Sequence, residues 1–237
     1  MTPSSISILI PVYNEAQTIE ELLRRVFAVE LPLEREVIVV DDGSADDTVA
    51  RVEAFRDAHP AWAPRLKLVQ HGQNRGKGAG VRTALEHATG DLVVIQDGDL
   101  EYHPKDLPGL LEPLLDGRAD AVFGSRFLGG PHRVLYFWHF TANRALTLLS
   151  NVTTGYNLTD MEVCYKAMFR HVALSLGLRS KRFGIEPEIT AKLSKGGWRL
   201  YEVPISYAGR SYEEGKKITW KDGLAALYHI LYYRVRP

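Results

Sequence analysis

Short apolar runs alternate with amphipathic segments through roughly the first half of the chain. Aliphatic and β-branched residues cluster in runs that predict strands at residues 6–13, 37–40, 66–69, 92–95 and 121–123. Helices are predicted at residues 16–29, 79–88 and 104–115, and a further helix opens at residues 46–48 with acids in its first turn. Strands that alternate with helices are typical of an α/β protein. We therefore predict a Rossmann-like, mostly parallel sheet flanked by helices.

The second half of the chain is less regular. An apolar helix is predicted at residues 133–152, another helix begins at residues 183–188, and residues 199–207 alternate like a strand. A terminal helix carries Leu224, Leu227, Ile230 and Leu231 at helical spacing. Neither an internal repeat nor a break in composition divides the sequence, so we predict one domain over residues 1–237.

Composition and charge exclude several classes of protein. Of 237 residues, 45% are hydrophobic, and 29 basic residues balance 29 acidic ones. A chain without net charge has no overall attraction to nucleic acid, so we expect no nucleic-acid partner. Cys164 is the single cysteine, which excludes an internal disulfide and fits a reducing compartment. We expect a cytoplasmic protein, since no signal peptide is recognisable.

Three acidic residues follow the apolar run of residues 92–95. Asp97, Asp99 and Glu101 are spaced two apart, so their side chains converge if the chain stays extended beyond the strand. Converging carboxylates repel one another, and a bound cation would offset that repulsion. Oxygen donors without a nearby His or Cys favour Mg²⁺ or Mn²⁺ over zinc. An ordinary acidic loop between a strand and a helix is the alternative that the spacing leaves open.

Other polar motifs also follow predicted strands. Asp41 and Asp42 end the second strand, and residues 74–77 come after the third. In an open parallel sheet, ligands bind beyond the carboxyl ends of the strands. The sequence therefore predicts a ligand site at this edge, although it contains neither a P-loop nor the dinucleotide fingerprint.

Eight motifs taken together resemble the family 2 glycosyltransferases, and within them the dolichyl- or polyprenyl-phosphate mannose synthases. They are PVYNE (11–15), VDDGSADDT (40–48), NRGKGAG (74–80), QDGDLEYHP (96–104), GSRF (124–127), TDMEVCYK (159–166), FGIEPEI (183–189) and EVPISYAGR with EGKKI (202–218). The resemblance implies the A-type glycosyltransferase fold. It divides the domain into a nucleotide-sugar-binding half, residues 1–125, and an acceptor-binding half, residues 126–237. Gly98 departs from the Ala that is usual in the acidic motif, and we expect little effect. The chain also stops where many relatives add transmembrane helices.

The same resemblance implies a role for each matching residue. It assigns the donor to Pro11, Tyr13, Glu15, Asp42, Asn74, Lys77 and Asp97, and the metal to Asp97, Asp99 and Glu101. It assigns the acceptor to Arg126, Arg144, Asp160, Arg210 and Lys217, with Asp99, Arg126 and Arg210 as the catalytic residues. Three alternatives stay open at this point. Asp42 could be a turn or helix-capping acid, Arg144 could extend from an apolar helix face, and Asp160 could brace the core.

The implied reaction is a metal-dependent, inverting transfer of a hexose, with mannose from GDP-mannose expected, to a dolichyl- or undecaprenyl-type phosphate. Mg²⁺ or Mn²⁺ is the expected cofactor. Alternatives are the same reaction with UDP-glucose or another nucleotide sugar, a non-catalytic nucleotide-binding regulator, and a nucleotidyltransferase. We expect residues 210–217 to close as a lid hinged at Gly215.

Two predicted helices suggest where the chain meets lipid. The helix at residues 133–152 and the terminal helix have apolar faces, aromatic residues and basic ends, as helices at a membrane interface do. We expect peripheral attachment to the cytoplasmic face of a membrane, helped by Lys221, Arg234 and Arg236. Packing of both helices into the core is the alternative. The sequence leaves open a separate membrane-protein partner.

Overall fold

The computed structural model describes residues 3–134, 136–211, 213–214 and 220–236, with the side chains of the terminal helix described from Gly223. The strands are β1 (Ser5–Val12), β2 (Glu34–Asp41), β3 (Leu66–Gln70), β4 (Leu92–Ile95), β5 (Ala121–Ser125), β6 (Lys166–Phe169) and β7 (Leu200–Pro204). The helices are α1 (Ile19–Ala28), α2 (Thr48–Ala58), α3 (Lys77–His87), α4 (Leu107–Leu115), α5 (Phe137–Thr154), α6 (Arg170–Ser175), α7 (Ile185–Lys195) and α8 (Trp220–Val235).

The seven strands form one sheet in the order β3-β2-β1-β4-β6-β5-β7. Every neighbouring pair runs parallel except the pairs that include β6, which is antiparallel to both β4 and β5. The prediction of a mostly parallel α/β sheet is confirmed. Strand β6 was not predicted, because it is only four residues long and begins with a lysine. Lys166 is nevertheless buried, with its ammonium 4.5 Å from the centre of the Phe123 ring.

The apolar runs of β1, β2 and β4 form the centre of the core. Ile8, Ile10, Val39 and Val94 are fully buried there, as strands covered on both faces require. Helix α1 begins at Ile19 rather than near residue 16. The preceding residues form a turn, in which the carbonyl of Glu15 accepts hydrogen bonds from the Thr18 and Ile19 amides at 3.0 Å.

Strand β1 lies between β2 and β4, and this arrangement positions the site. The chain leaves β1 toward β2 on one side, whereas β4 occupies the other side. The connections that follow β1 and β4 therefore lead to opposite sides of the sheet. In such sheets the ligand usually binds in a crevice at the carboxyl edge between two strands of this kind, and we call that edge the crevice. The order also shows that both halves of the chain share one sheet, because β6 and β7 belong to the second half.

Helices α5 and α8 pack against each other and each exposes apolar side chains. On α5, Phe137, Leu148 and Val152 recur at helical spacing, and Trp138 beside them is 77% exposed. On α8 the exposed residues with that spacing are Leu224, Tyr228, Leu231 and Val235. We call these two sets the α5 stripe and the α8 stripe. Within the described ranges, no helix is both long enough and apolar enough to cross a bilayer.

Candidate active site

The acidic residues after β4 lie at the crevice, but they do not converge as expected. The chain turns instead of staying extended, and the amide of Glu101 donates to Asp99 Oδ1 at 3.0 Å. In the part of the chain that the structure describes, no three Asp, Glu, His or Cys side chains group as a metal-binding cluster. The expectation of three convergent carboxylates is therefore wrong for this arrangement. Two basic side chains instead contact the acids: Lys77 contacts Asp97, and Arg210 contacts Asp99.

Arg210 joins the acidic residues to the loop after β1. Its Nη2 lies 2.6 Å from Asp99 Oδ2, its Nε lies 3.3 Å from Glu101 Oε1, and its Nη1 lies 3.4 Å from Glu15 Oε2. Glu101 also accepts a hydrogen bond from the Arg210 amide at 2.8 Å and one from the Tyr207 hydroxyl at 2.8 Å. Both oxygens of Glu101 are thus used by the protein. The expected metal-ligand role of Glu101 has no support in this geometry.

Negative charge at Asp99 is only partly offset. Burial, and then the nearby charges of Asp97 and Glu101, raise the pKa of Asp99 to about 7, although Arg210 acts in the opposite direction. Asp97 and Asp99 keep 23% and 12% of their side chains exposed. Partly exposed carboxylates that repel one another fit a hard divalent cation. Asp97 and Asp99 are therefore the residues that would hold a Mg²⁺ or Mn²⁺ ion.

Lys77 is the first residue of α3 and reaches across the crevice. Its Nζ lies 2.8 Å from Asp97 Oδ1 and 3.0 Å from Glu186 Oε1. Although burial opposes its charge, Asp97 and Glu186 help to hold the pKa of Lys77 well above its usual value. The lysine is therefore a permanent cation.

Asp42 braces the loop between β3 and α3. Its Oδ1 lies 2.7 Å from His71 Nδ1 and accepts the Arg75 amide at 2.9 Å, and its Oδ2 accepts the Gly76 amide at 2.6 Å. These contacts match the turn-bracing alternative. Contact between Asp42 and a nucleotide remains a prediction, since a carboxylate accepts about four hydrogen bonds.

The other expected donor residues line the same edge. Pro11 is buried at the end of β1. Gly80 of α3 lies so close to Pro11 that a side chain at position 80 would clash with it. Tyr13 is 39% exposed and Asn74 is exposed. Glu15 accepts a hydrogen bond from the Thr18 hydroxyl at 2.9 Å in addition to its contact with Arg210.

Arg126 and Asp160 bind each other rather than presenting open groups. Arg126 Nε and Nη2 donate to the two Asp160 oxygens at 2.6 and 2.7 Å, and the Arg126 amide adds a third bond at 3.1 Å. The guanidinium lies 5.5 Å from the Phe127 ring centre and 5.2 Å from that of Tyr207. Arg126 is therefore paired within the protein, and its contact with an acceptor phosphate stays a prediction. Asp160 braces Arg126, as the structural alternative proposed.

The two further acceptor residues are Arg144 and Lys217. Arg144 is exposed on α5, one turn before Leu148 of the α5 stripe. Lys217 lies outside the described residues, as does Gly215, the expected hinge of the lid.

Sequence reasoning missed three residues of this region. Glu186, Tyr207 and His71 contact Lys77, Glu101 and Asp42 respectively. Glu186 and Tyr207 fall within motifs that carried the family resemblance, which was an available signal. Nothing in the sequence distinguishes His71 from the other scattered histidines.

Comparison with known sequences decides the family. The sequence model described as Glycosyl transferase family 2 matches residues 7–177 of this chain. The chain belongs to glycosyl transferase family 2. Its match to this family confirms the resemblance that the eight motifs indicated.

Two curated relatives carry the same name. Undecaprenyl-phosphate 4-deoxy-4-formamido-L-arabinose transferase from Aeromonas hydrophila is 30% identical over 229 residues, which cover 96% of this chain and 65% of the relative. The Klebsiella pneumoniae protein of that name is 30% identical over 213 residues, covering 89% and 62%. This family 2 chain thus spans somewhat less than two thirds of the length of the relatives it matches.

Solved structures show the same fold. Glucosyl-3-phosphoglycerate synthase from Mycobacterium tuberculosis, in complex with Mn²⁺, UDP and phosphoglyceric acid, superposes with a TM-score of 0.76. It is 23% identical, and the match covers 99% of this chain and 80% of the synthase. The same enzyme with Mg²⁺ and UDP gives a TM-score of 0.74 at 24% identity. These neighbours confirm the A-type fold.

The packing at Gly98 predicts that alanine is not neutral there. A Cβ at Gly98 would lie 2.7 Å from Cγ1 of Val12, a buried and branched side chain that cannot move aside freely. We expect Gly98→Ala to lower the free energy of unfolding by about 1–3 kcal/mol, measured by urea denaturation. Val12→Ala in the same chain should recover part of that loss. Purely additive effects of the two substitutions would contradict the predicted contact.

The raised pKa of Asp99 predicts a pH-dependent stability. The unfolded chain ionises this group near pH 4, so the stability that comes from keeping it protonated is present below that pH and lost as pH rises through about 7. Asp99→Asn keeps the side chain neutral at every pH. We expect it to raise the Tm of the metal-free protein at pH 8 and to make little difference near pH 4.

Asp91→Asn is the matched control for that experiment. Asp91 has a lowered pKa because it accepts hydrogen bonds from Ser4 and Ser5 at the opposite edge of the sheet. Its replacement should lower the Tm at pH 8. If the Asp99→Asn protein is no more stable than the native chain at pH 8, the raised pKa of Asp99 is contradicted.

Proposed function

We propose that this chain transfers a sugar from a nucleotide donor to a polyprenyl phosphate with the help of a divalent cation. The observation that carries the proposal is the crevice between β1 and β4, where Asp97 and Asp99 offer accessible carboxylates beside the cations Lys77 and Arg210. A site with both charges suits a diphosphate and its metal together.

The acceptor class is supported by the relatives. Their shared name specifies undecaprenyl phosphate, and they match this chain over 89–96% of its length. A phosphate monoester is also a suitable nucleophile for a site without an assigned base. Its second pKa of about 6 leaves it largely dianionic at neutral pH, so no side chain needs to remove a proton.

The donor has two candidate classes. GDP-mannose follows from the resemblance to the mannose synthases, whereas the relatives transfer a modified arabinose according to their name. The solved neighbours contain UDP, which favours a uridine nucleotide as the second candidate. We therefore keep the sugar and the base as the variables of the test.

Each side chain of the crevice has a part in the proposed reaction. Asp97 and Asp99 would hold Mg²⁺ or Mn²⁺, which would supply Lewis-acid stabilisation of charge on the departing nucleoside diphosphate. Arg210 contacts the donor-side residues Glu15 and Asp99, so we place it at the diphosphate rather than at a separate acceptor site. Lys77 adds a second positive charge on the other side of Asp97.

The reaction can be tested with a panel of donors. GDP-mannose, UDP-glucose and the uridine nucleotide of 4-deoxy-4-formamido-L-arabinose would each be mixed with undecaprenyl phosphate and Mn²⁺. We expect release of nucleoside diphosphate with one donor, and only when the lipid phosphate is present. Asp97→Asn or Asp99→Asn should lower the rate at least about a hundredfold, because each removes a carboxylate that holds the cation.

Asp91→Asn is the control in this assay as well, since Asp91 lies just before β4 at the edge opposite the crevice. It should leave turnover unchanged at a temperature where it stays folded. Failure of all three donors, or release that does not depend on the lipid phosphate, would overturn the proposed reaction.

We also propose that the α5 and α8 stripes attach the protein to the cytoplasmic face of a membrane. Exposed apolar residues on both helices, together with Arg144, Arg234 and Arg236, match the pattern of an interfacial helix pair. A polyprenyl chain resides in the bilayer, so the site must approach the lipid surface to receive its phosphate. A separate membrane protein could supply further attachment.

Liposome flotation at low salt with anionic lipid tests this attachment. We expect the native chain to float with the vesicles. The double variant Trp138→Ser and Leu148→Ser should lower the bound fraction about tenfold, because it removes two large apolar side chains that the native chain would bury in lipid. Leu174→Ser is the control, since Leu174 is 50% exposed on α6, outside both stripes. Equal flotation of all three proteins, or no binding of the native chain, would count against the stripes.

A further inference from the structure

The ammonium of Lys77 is held from two sides by carboxylates of different halves of the chain. Asp97 follows β4 in the first half, whereas Glu186 lies in the first turn of α7 in the second half. The two Nζ–oxygen distances are 2.8 and 3.0 Å. An ammonium has three N–H groups. Within the described chain these two contacts are the only ones recorded for Lys77 Nζ, so one donor remains available.

The carboxylate of Glu186 is buried, and hydrogen bonds do not fully compensate its burial. Its side chain is 6% exposed, and its Oε2 has no hydrogen-bond partner among the described residues. Burying a carboxylate costs several kcal/mol unless a partner compensates, and Lys77 is the compensating cation here. A helix N-terminus also favours an acid, but it does not require a buried one that leaves an oxygen unsatisfied.

A second buried glutamate lies close enough to Glu186 for their charges to interact. Glu162 Oε1 is also buried without a hydrogen-bond partner among the described residues. Burial and the nearby charge of Glu186 raise the pKa of Glu162 to about 8. At neutral pH Glu162 therefore retains its proton.

The backbone around Lys77 is fixed independently of these ion pairs. The Ala79 amide donates to the carbonyl of Lys181 at 3.1 Å, and a Cβ added to Gly78 would overlap the carbonyl of Ser180. The start of α3 thus rests directly on the segment that precedes α7. The carboxylates Asp97 and Glu186 then decide only where the long side chain of Lys77 points.

We propose that Glu186 is a positioning residue that acts through Lys77, drawing the ammonium partly away from Asp97 and directing its remaining N–H toward the diphosphate of the nucleotide donor. The inference rests on the proposed donor site in the crevice. A lysine paired with Asp97 alone would neutralise that carboxylate and lie against it. A lysine shared with Glu186 leaves more negative charge on Asp97 and holds a fixed positive charge beside it.

A double-mutant cycle on the whole chain tests the inference. The measurement is the Kd of UDP and of GDP in the presence of Mn²⁺, by titration calorimetry. We expect Lys77→Ala to weaken the preferred nucleotide at least about tenfold and Glu186→Ala to weaken it about tenfold, since charge-assisted hydrogen bonds are lost. The double variant should bind no more weakly than Lys77→Ala, because Glu186 has no effect without the lysine.

Glu186→Gln supplies a conservative variant that keeps a hydrogen-bond acceptor for Lys77. We expect its Kd to return to within about threefold of the native value. Glu36→Gln is the control for stability, since Glu36 accepts hydrogen bonds from Ser7 and Thr89 at the opposite edge. It should lower the Tm and leave the Kd unchanged.

Two results would overturn the inference. One is a folded Glu186→Ala protein that binds the preferred nucleotide as tightly as the native chain does, or a Glu186→Gln protein that binds it as weakly as Lys77→Ala does. The other is additive loss in the cycle, which would mean that Glu186 acts without Lys77. A native chain that binds neither UDP nor GDP would instead refute the donor site, and with it both proposals.

Discussion

The balance of charge at the carboxyl end of β4 is the constraint on which the rest of the site depends. Asp97, Asp99 and Glu101 follow β4 two positions apart, and Arg210 links Asp99 and Glu101 to Glu15 of the loop after β1. Carboxylates so close together destabilise one another unless cations intervene. Lys77 and Arg210 supply that charge from distant parts of the sequence. Arg210 is separated from Asp99 by 111 positions.

This requirement explains why the second half of the chain closes on the first. Arg210 comes from the segment beyond β7, and its orientation depends on Glu101, which accepts its amide hydrogen. Lys77 comes from α3, but it is shared with Glu186 of α7. The crevice is thus completed by elements from both halves. The strand order supports the same closure, because β6 is inserted between β4 and β5.

A second polar network lies beside the crevice and fixes its wall. Glu202 of β7 accepts the amides of Thr159 and Asp160 at 2.9–3.0 Å, and Asp160 in turn binds Arg126 through both oxygens. Buried networks whose groups are mutually satisfied are rigid. Arg126 is therefore more suited to shaping this wall than to releasing its partner for a ligand. Tyr207 connects the wall to the acidic residues through Glu101.

The sequence by itself determined the class of fold and the edge of the sheet that carries the site. Apolar runs and helical spacing are local properties, so the alternation of β1 to β5 with helices was readable, as was the acidic stretch after β4. The family followed from the order of eight motifs, which no single motif would have established. Strand β6 was not predicted, because its four residues form a strand only by pairing with β4 and β5.

Tertiary structure alone decided which charged groups meet. Arg126 was predicted as an acceptor residue, and the structure pairs it with Asp160, 34 positions away. Glu101 was expected to face a metal and is taken by Tyr207 and Arg210, over 100 positions later in the chain. Sequence spacing gives the type and local direction of a side chain, but not its partner. Partners depend on long-range packing, because a buried charge adopts the contact that best offsets its lost hydration.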